Sequence, residues 1–265
     1  MARPPRHADF FRIWTPEMAY VLGLWWTDGC MRVKQNTGAY EIEIASNDRE
    51  HLIHVGDLIG GKYHLRKVAE DGSTFKITFC SREMYRDIEH LGGSPRKSRT
   101  IGFPDVPATL LPHFVRGVVD GDGTLAWNGN RPVAQIYSGS PTLLNGLVVA
   151  VERATGIPAP TLTANRENWY VKWSTVRAKC VVAWLYTENG GVALPRKAEI
   201  AKKFLAWYPK KMPQRGTITE PMRERFAAYI GLRRDVHGAT SDDIRAEINY
   251  FGDDDKLVQS QFSFE

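Results

Sequence analysis

The chain is 265 residues long and 43% hydrophobic, with 35 Lys and Arg against 30 Asp and Glu, a formal charge of +5 and an isoelectric point near 9.1. That is enough apolar material for one or two cored domains, while no apolar run reaches the length that spans a bilayer, which argues against a membrane partner. Three cysteines (Cys30, Cys80, Cys180) and seven scattered histidines lack disulfide or zinc spacing, and with an N-terminus that has no signal-peptide core they predict an intracellular protein of cytoplasm, nucleoid or organelle matrix rather than a secreted one.

The first predicted element is an apolar helix over residues 21–29 that ends in Asp28, with Gly29 as a left-handed stop. Polar–apolar alternations follow at residues 32–36 and 40–46, then a helix-period run at 49–59, alternations at 63–68 and 74–80, and a helix at 82–91. The order then recurs. A second apolar helix over 115–123 ends in Asp122 and Gly123, followed by strands at 125–128 and 133–138, a helix at 142–155, strands at 161–165 and 169–174, and a helix at 177–188. Pro95-Arg96-Lys97 leaves the first copy and Pro195-Arg196-Lys197 the second. The pattern predicts an α+β fold, a tandem pseudo-twofold repeat of αββαββα modules, each with an antiparallel sheet. The expected divisions are residues 1–93, a first module with an N-terminal arm; 94–108, a linker; 109–208, a second module; and 209–265, a C-terminal extension. Within the extension, residues 209–213 read as a break, and 220–233 and 241–250 as helices.

A carboxylate at a helix C-terminus opposes the macrodipole, so helix stability does not explain Asp28 and Asp122. Inside each segment small residues fall four apart, Gly23 with Thr27 and Gly117 with Gly121, a stripe that lets two backbones approach. Helices packed through these stripes bring the two aspartates together, and like charges that close repel unless a cation lies between them. Open oxygen ligands suit Mg²⁺, which also binds phosphate oxygens, and the arrangement fits phosphodiester cleavage.

On these residues the two segments resemble the double motif of the LAGLIDADG homing endonucleases. The second copy, from Phe114 to Gly123, is the closer match; the first departs at Leu22 and at Trp26, a position often acidic in that family. The resemblance extends over roughly residues 14–208. It implies a monomer whose motif helices form the interface, whose two sheets lie in adjacent major-groove segments of double-stranded DNA, and which cuts a long nonpalindromic site across the minor groove. It implies Asp28 and Asp122, with Gly29 and Gly123 beside them, as the ligands of two or three Mg²⁺ ions. It also places Lys97 and Lys197 near the cut phosphates, catalytic lysines being one reading and backbone clamps or solvated linker charges the other. Ser46 and Ser138, each closing the second strand of its module, are candidates to position water.

Strand alternation directs one set of side chains outward: Arg32, Lys34, Asn36, Glu41, Glu43, His64, Arg66, Lys76 and Thr78 in the first module, and Asn128, Gln135, Tyr137, Thr161, Thr163, Asn165, Tyr170 and Lys172 in the second. Arg and Lys suit guanine, Asn and Gln adenine, and Thr the thymine methyl, while Glu41 and Glu43 suit cytosine N4 or tune the field. A half-solvated sheet alternates in the same way, but two matched sheets beside a two-aspartate site favour a DNA-reading saddle. The positive excess lies with the repeats, the first 209 residues carrying 26 basic against 20 acidic groups. Two alternatives share the scaffold: a maturase acting on host intron RNA, and a DNA-binding regulator that does not cut. The short stretch before residue 14 argues against an intein.

Overall fold

A computed structural model describes residues 8–68, 72–209 and 218–230. Thr15 opens α1 (Pro16–Asp28), its hydroxyl accepting from the Met18 N–H with Pro16 in the first turn. There follow β1 (Gly29–Val33), β2 (Tyr40–Ser46), α2 (Arg49–Ile59), β3 (His64–Lys67), β4 (Phe75–Cys80) and α3 (Arg82–His90). A single 3₁₀ turn (Lys97–Arg99) leads into α4 (Leu111–Asp122), β5 (Gly123–Asn128), β6 (Arg131–Ser138), α5 (Pro141–Thr155), β7 (Thr163–Asn165), β8 (Asn168–Ser174), α6 (Thr175–Tyr186) and α7 (Pro195–Leu205), and then the short α8 (Glu220–Arg225) and α9 (Ala227–Ile230).

The fold is α+β, with two four-stranded antiparallel sheets ordered β1-β2-β4-β3 and β5-β6-β8-β7. Their registers coincide. Gly29 pairs with Ile44 and Ile44 with Ile77, just as Gly123 pairs with Ile136 and Ile136 with Val171. By this register Glu43 corresponds to Gln135, Thr78 to Lys172, Lys76 to Tyr170 and Arg66 to Thr163. One face of each sheet is apolar and buried: Met31, Ile42, Ile44, Ile77 and Phe79 in the first, Leu125, Ala134, Ile136, Val171 and Trp173 in the second. Burying that face under the helices leaves the polar face of each sheet open. Among the described residues no helix is long and apolar enough to cross a membrane.

Several expectations are corrected. Gly29 and Gly123 are extended (φ −87° and −85°), not left-handed, and each helix runs straight into a strand. Glycine is required there because a Cβ would strike the carbonyl of Trp25 or of Val119 in the last helical turn. β1 consequently begins three residues before the expected start, Val33 is exposed, and Asn36 falls in the turn beyond the strand. Thr161 precedes β7 rather than belonging to it. Pro195 opens an eleven-residue helix, α7, in a part of the second module for which no element was expected. The expected helix over 220–233 is broken at Phe226 into α8 and α9, whose Met222, Phe226 and Ile230 are buried, while Arg225 and Thr219 donate to the carbonyls of Ala154 and Gly156 at the end of α5. The expected helix over 241–250 lies outside the described residues.

Candidate active site

α1 and α4 meet backbone to backbone. Gly23 lies against Phe114 and Val118, and Gly117 against Tyr20 and Leu24; an added Cβ on Gly117 would sit 2.8 Å from the Leu24 nitrogen and nearer still to the Tyr20 carbonyl. Gly121 lies against Thr27 and Asp28, where an added Cβ would be 2.6 Å from Asp28 Oδ2. The stripe Gly23, Thr27, Gly117 and Gly121 therefore sits at the crossing. Asp28 and Asp122 come together at the C-terminal end of this seam. Burial, and next the charge of Asp122, pushes the Asp28 carboxyl up to about 6. Asp122 is open at the surface yet crowded enough for burial to raise its carboxyl too, against the pull of Lys97 and Lys197. Beside them opens a cavity of ≈ 260 Å³, lined by Thr27, Ser98, Arg99, Asp122 and Ser138 among others.

The two exit lysines meet these helix ends from different scaffolds. Lys97, in the 3₁₀ turn after left-handed Arg96, donates to the carbonyls of Trp26 (2.7 Å) and Thr27 (3.1 Å), 5.0 Å from the Trp25 ring centroid. Lys197, in the first turn of α7, donates to Val119 (2.6 Å), Asp120 (2.8 Å) and Gly123 (2.7 Å). The last carbonyls of a helix have no partners within it, and an ammonium there also offsets the negative end of the dipole and the aspartate beside it. Both lysines are buried, and burial lowers them to about 8 against the raising influence of the aspartates. Solvated linker charges are thus excluded for both. Lys197 has its three N–H groups committed to carbonyls, so what it offers a group outside the chain is its charge. Gly123, expected to face a metal, has its carbonyl already accepting from Lys197.

Among the described residues no three acidic, His or Cys side chains converge. A metal at the seam would take two carboxylates from the chain and its remaining oxygens from water and phosphate, which is the coordination Mg²⁺ accepts. The donor set fits a divalent ion shared with a bound polyanion rather than an all-protein cage.

No family model and no curated protein matches the chain. Among solved structures, mesophilic variants of the homing endonuclease I-DmoI superpose with a TM-score of 0.52 at 17% identity, over 69% of this chain and 97% of theirs. The LAGLIDADG meganuclease I-AabMI bound to uncleaved DNA gives 0.51 at 10% identity, over 73% and 90%. I-SmaMI bound to an uncleaved DNA target in the presence of calcium ions gives 0.51 at 13% identity, over 73% and 91%. The chain has the LAGLIDADG homing endonuclease fold.

Within the LAGLIDADG fold the two motif copies tie down their exits by opposite chemistry. Asp120 is fully buried and accepts from Tyr20 OH (2.8 Å), Tyr186 OH (2.7 Å) and the Leu194 N–H (2.7 Å), and burial raises its carboxyl. The Tyr20 oxygen also lies 2.8 Å from His51 Nε2. At the matching position of α1, Trp26 donates its indole N–H to the Gly102 carbonyl (2.8 Å). Arg116, buried against Tyr20, donates to Leu185 (2.6 Å), Val192 (2.7 Å) and Asn189. The sequence reading missed Tyr20, His51, Arg116 and Tyr186 altogether; polar groups at apolar-looking helix positions were the only trace.

Ser46 and Ser138 accept from the N–H of Asp48 (3.1 Å) and Ser140 (3.0 Å), forming matched turns into α2 and α5. Ser138 also lines the cavity with Asp122. The open face of the first sheet carries Arg32, His64, Arg66 and Lys76, with Lys34 just past β1. Glu41, Glu43 and Thr78 share that face but are corrected from outward readers to buried groups beneath the cations, the Thr78 hydroxyl donating to Glu43. The second sheet presents Gln135, Tyr137, Thr163, Tyr170 and Lys172, with Asn128 and Asn165 at strand ends; the rings of Tyr137 and Tyr170 lie 5.7 Å apart.

Proposed function

We propose that this protein is a metal-dependent, site-specific endonuclease of double-stranded DNA, acting as a monomer with internal pseudo-twofold symmetry on a long nonpalindromic target. The observation that carries the reading is the delivery of two carboxylates, Asp28 and Asp122, to one point by a helix pair in backbone contact, beside two sheets whose open faces carry Arg and Lys. The I-AabMI and I-SmaMI complexes contain DNA, and this supports the choice of partner. Asp28 and Asp122 would hold Mg²⁺, which when bound supplies a Lewis acid for the scissile phosphate and an activated water. Lys97 and Lys197 fix the helix ends that carry the aspartates and place positive charge where negative charge grows on phosphate. Ser138 is positioned in the cavity to orient water. The open sheet faces read the major groove, Arg32, Arg66 and Lys76 on one half-site and Gln135, Tyr170 and Lys172 on the other. Both carboxylates are present, which favours cutting over a regulator that only binds.

The test starts from a randomised duplex library cut by the wild-type chain in Mg²⁺. Asp28→Asn and Asp122→Asn should each lower double-strand cleavage by at least about 100-fold while leaving binding of the selected duplex in Ca²⁺ intact. Full cutting by either variant would remove the assignment of these residues.

A further inference from the structure

The open face of the first sheet holds two carboxylates that a surface for a polyanion has no electrostatic reason to carry. Glu43, central in β2 and 2% exposed, receives Lys76 Nζ at 3.0 Å, Arg32 at 3.2 Å, Arg66 at 3.3 Å and the Thr78 hydroxyl at 3.2 Å. Glu41 receives Arg32 at 2.8 Å and Lys34 at 2.6 Å. Burial pushes the Glu43 carboxyl up, but Lys76 and Arg32 outweigh it and hold it below its ordinary range, so the group is ionised near neutral pH. Its cations come from β1, β3 and β4, and one carboxylate therefore gathers side chains from every other strand of the sheet.

Lys76 is largely covered, its side chain 20% exposed, but the two arginines are not buried in the manner of a structural ion pair. The side chains of Arg32 and Arg66 are 45% and 54% exposed and point to the same open face. Free arginine and lysine side chains sample many rotamers, whereas a bidentate contact to a base edge demands a guanidinium held in one plane. The second sheet is built otherwise. The equivalent of Glu43 is Gln135, opposite Lys172, with the Tyr137 and Tyr170 rings alongside.

We infer that Glu43, assisted by Glu41, is a specificity-determining positioning residue that aims Arg32, Arg66 and Lys76 at base edges in the half-site under the first sheet only. This rests on the endonuclease reading above. Glu43 does not touch DNA in this arrangement. It lowers the general attraction of that half for a polyanion and fixes where the remaining attraction is directed. Loss of its charge should therefore tighten indiscriminate binding and blur recognition, an unusual pairing of effects for a single substitution.

The experiment compares full-length wild type and Glu43→Gln in Ca²⁺, first by selection from a randomised duplex library and then by salt titration on the selected and on an unrelated duplex. For Glu43→Gln, preference should relax about 10-fold at a few adjacent base pairs of one half-site, with the other half-site unchanged. The unrelated duplex should bind more tightly, with a salt slope steeper by about one. Unchanged preferences and slope overturn the inference, as does uniform weakening on all duplexes, the mark of a purely structural role. If thermal melting shows Glu43→Gln to be unfolded, Glu41→Gln, whose Arg32 and Lys34 partners stand near the sheet edge, is read by the same criteria. A wild-type chain that enriches no sequence refutes the endonuclease reading itself; a wild-type chain with a sharp site that Glu43→Gln shares refutes only the role of Glu43.

Discussion

Replacing Gly117 by alanine is the smallest change that tests the seam between the motif helices. The new Cβ would lie 2.8 Å from the Leu24 nitrogen and closer still to the Tyr20 carbonyl, where ordinary contact begins at 3.4 Å, so α1 and α4 must part by roughly 1 Å or more. The obstacles are backbone atoms, which cannot rotate aside. Overpacking costs about 1–3 kcal/mol and occasionally more, and a backbone obstacle belongs at the upper end of that range. Alanine offsets about 1 kcal/mol through helix propensity, which leaves a net loss of about 2 kcal/mol in the free energy of urea unfolding. Gly102→Ala serves as the control, since its Cβ would meet nothing within 4 Å; its effect should stay within about 0.5 kcal/mol. Parting the helices also separates Asp28 from Asp122, so cleavage should fall with stability. A Gly117→Ala chain that unfolds at or above the wild-type free energy and cuts at the wild-type rate would refute a seam made of backbone contact.

Lys197→Met strips a donor from the carbonyls of Val119, Asp120 and Gly123, of which Val119 keeps the Gly123 N–H; with each buried group left unpaired costing about 1–3 kcal/mol, the loss should be at least about 2 kcal/mol. Because Lys197 pulls the Asp122 carboxyl down, its loss should also move the acid limb of the cleavage profile to higher pH; unchanged unfolding and an unmoved limb would count against the helix-end role. His51 is lowered from 6.5 to about 4, first by burial and then by His54. Between those values the unfolded chain takes up a proton that the folded chain refuses, so stability complete above pH 6.5 is lost as pH falls through 4, by about 3 kcal/mol. Urea melts of His51→Gln should lack that component of the slope, and a slope equal to wild type would refute it. Lys172→Ala should relax specificity in the second half-site if Lys172 reads bases, or lower the salt slope by about one with uniform loss if it holds phosphate; no change in either would mean that this sheet face does not meet DNA.

The elements legible in the sequence were those whose periodicity faces a single core. β2 and α2 coincide with their expected bounds, because the alternation of Tyr40–Ser46 sends Ile42 and Ile44 to the core face and the helical spacing of Arg49–Ile59 buries one side. The internal repeat likewise exposed the pairing of Asp28 with Asp122, since two copies of one pattern constrain each other. What stayed hidden depended on register or on the third dimension. The similarity of Pro95-Arg96-Lys97 to Pro195-Arg196-Lys197 suggested equal exits, yet one is a single turn and the other opens α7, whose Ala198, Ala201 and Phe204 are buried. Alternation correctly put Glu41 and Glu43 on the polar face but could not show that cations from neighbouring strands cover them, which requires knowing which residues sit opposite. Nor does any local pattern reveal a lysine buried to satisfy the carbonyls of a helix far away in sequence.

At Gly23 and Gly117 the seam meets backbone against backbone, which cannot change rotamer, and Tyr20 and Asp120 further join the two helices by a hydrogen bond. A duplex lying along both sheets would meet two reading surfaces at one separation and one angular phase. Each base pair adds about 3.4 Å of rise and about a tenth of a turn. One extra base pair between the half-sites would therefore displace and rotate the far half beyond what a backbone crossing can follow. The protein would act as a ruler as well as a reader, rejecting a target with every contacted base intact but the wrong number of bases between them.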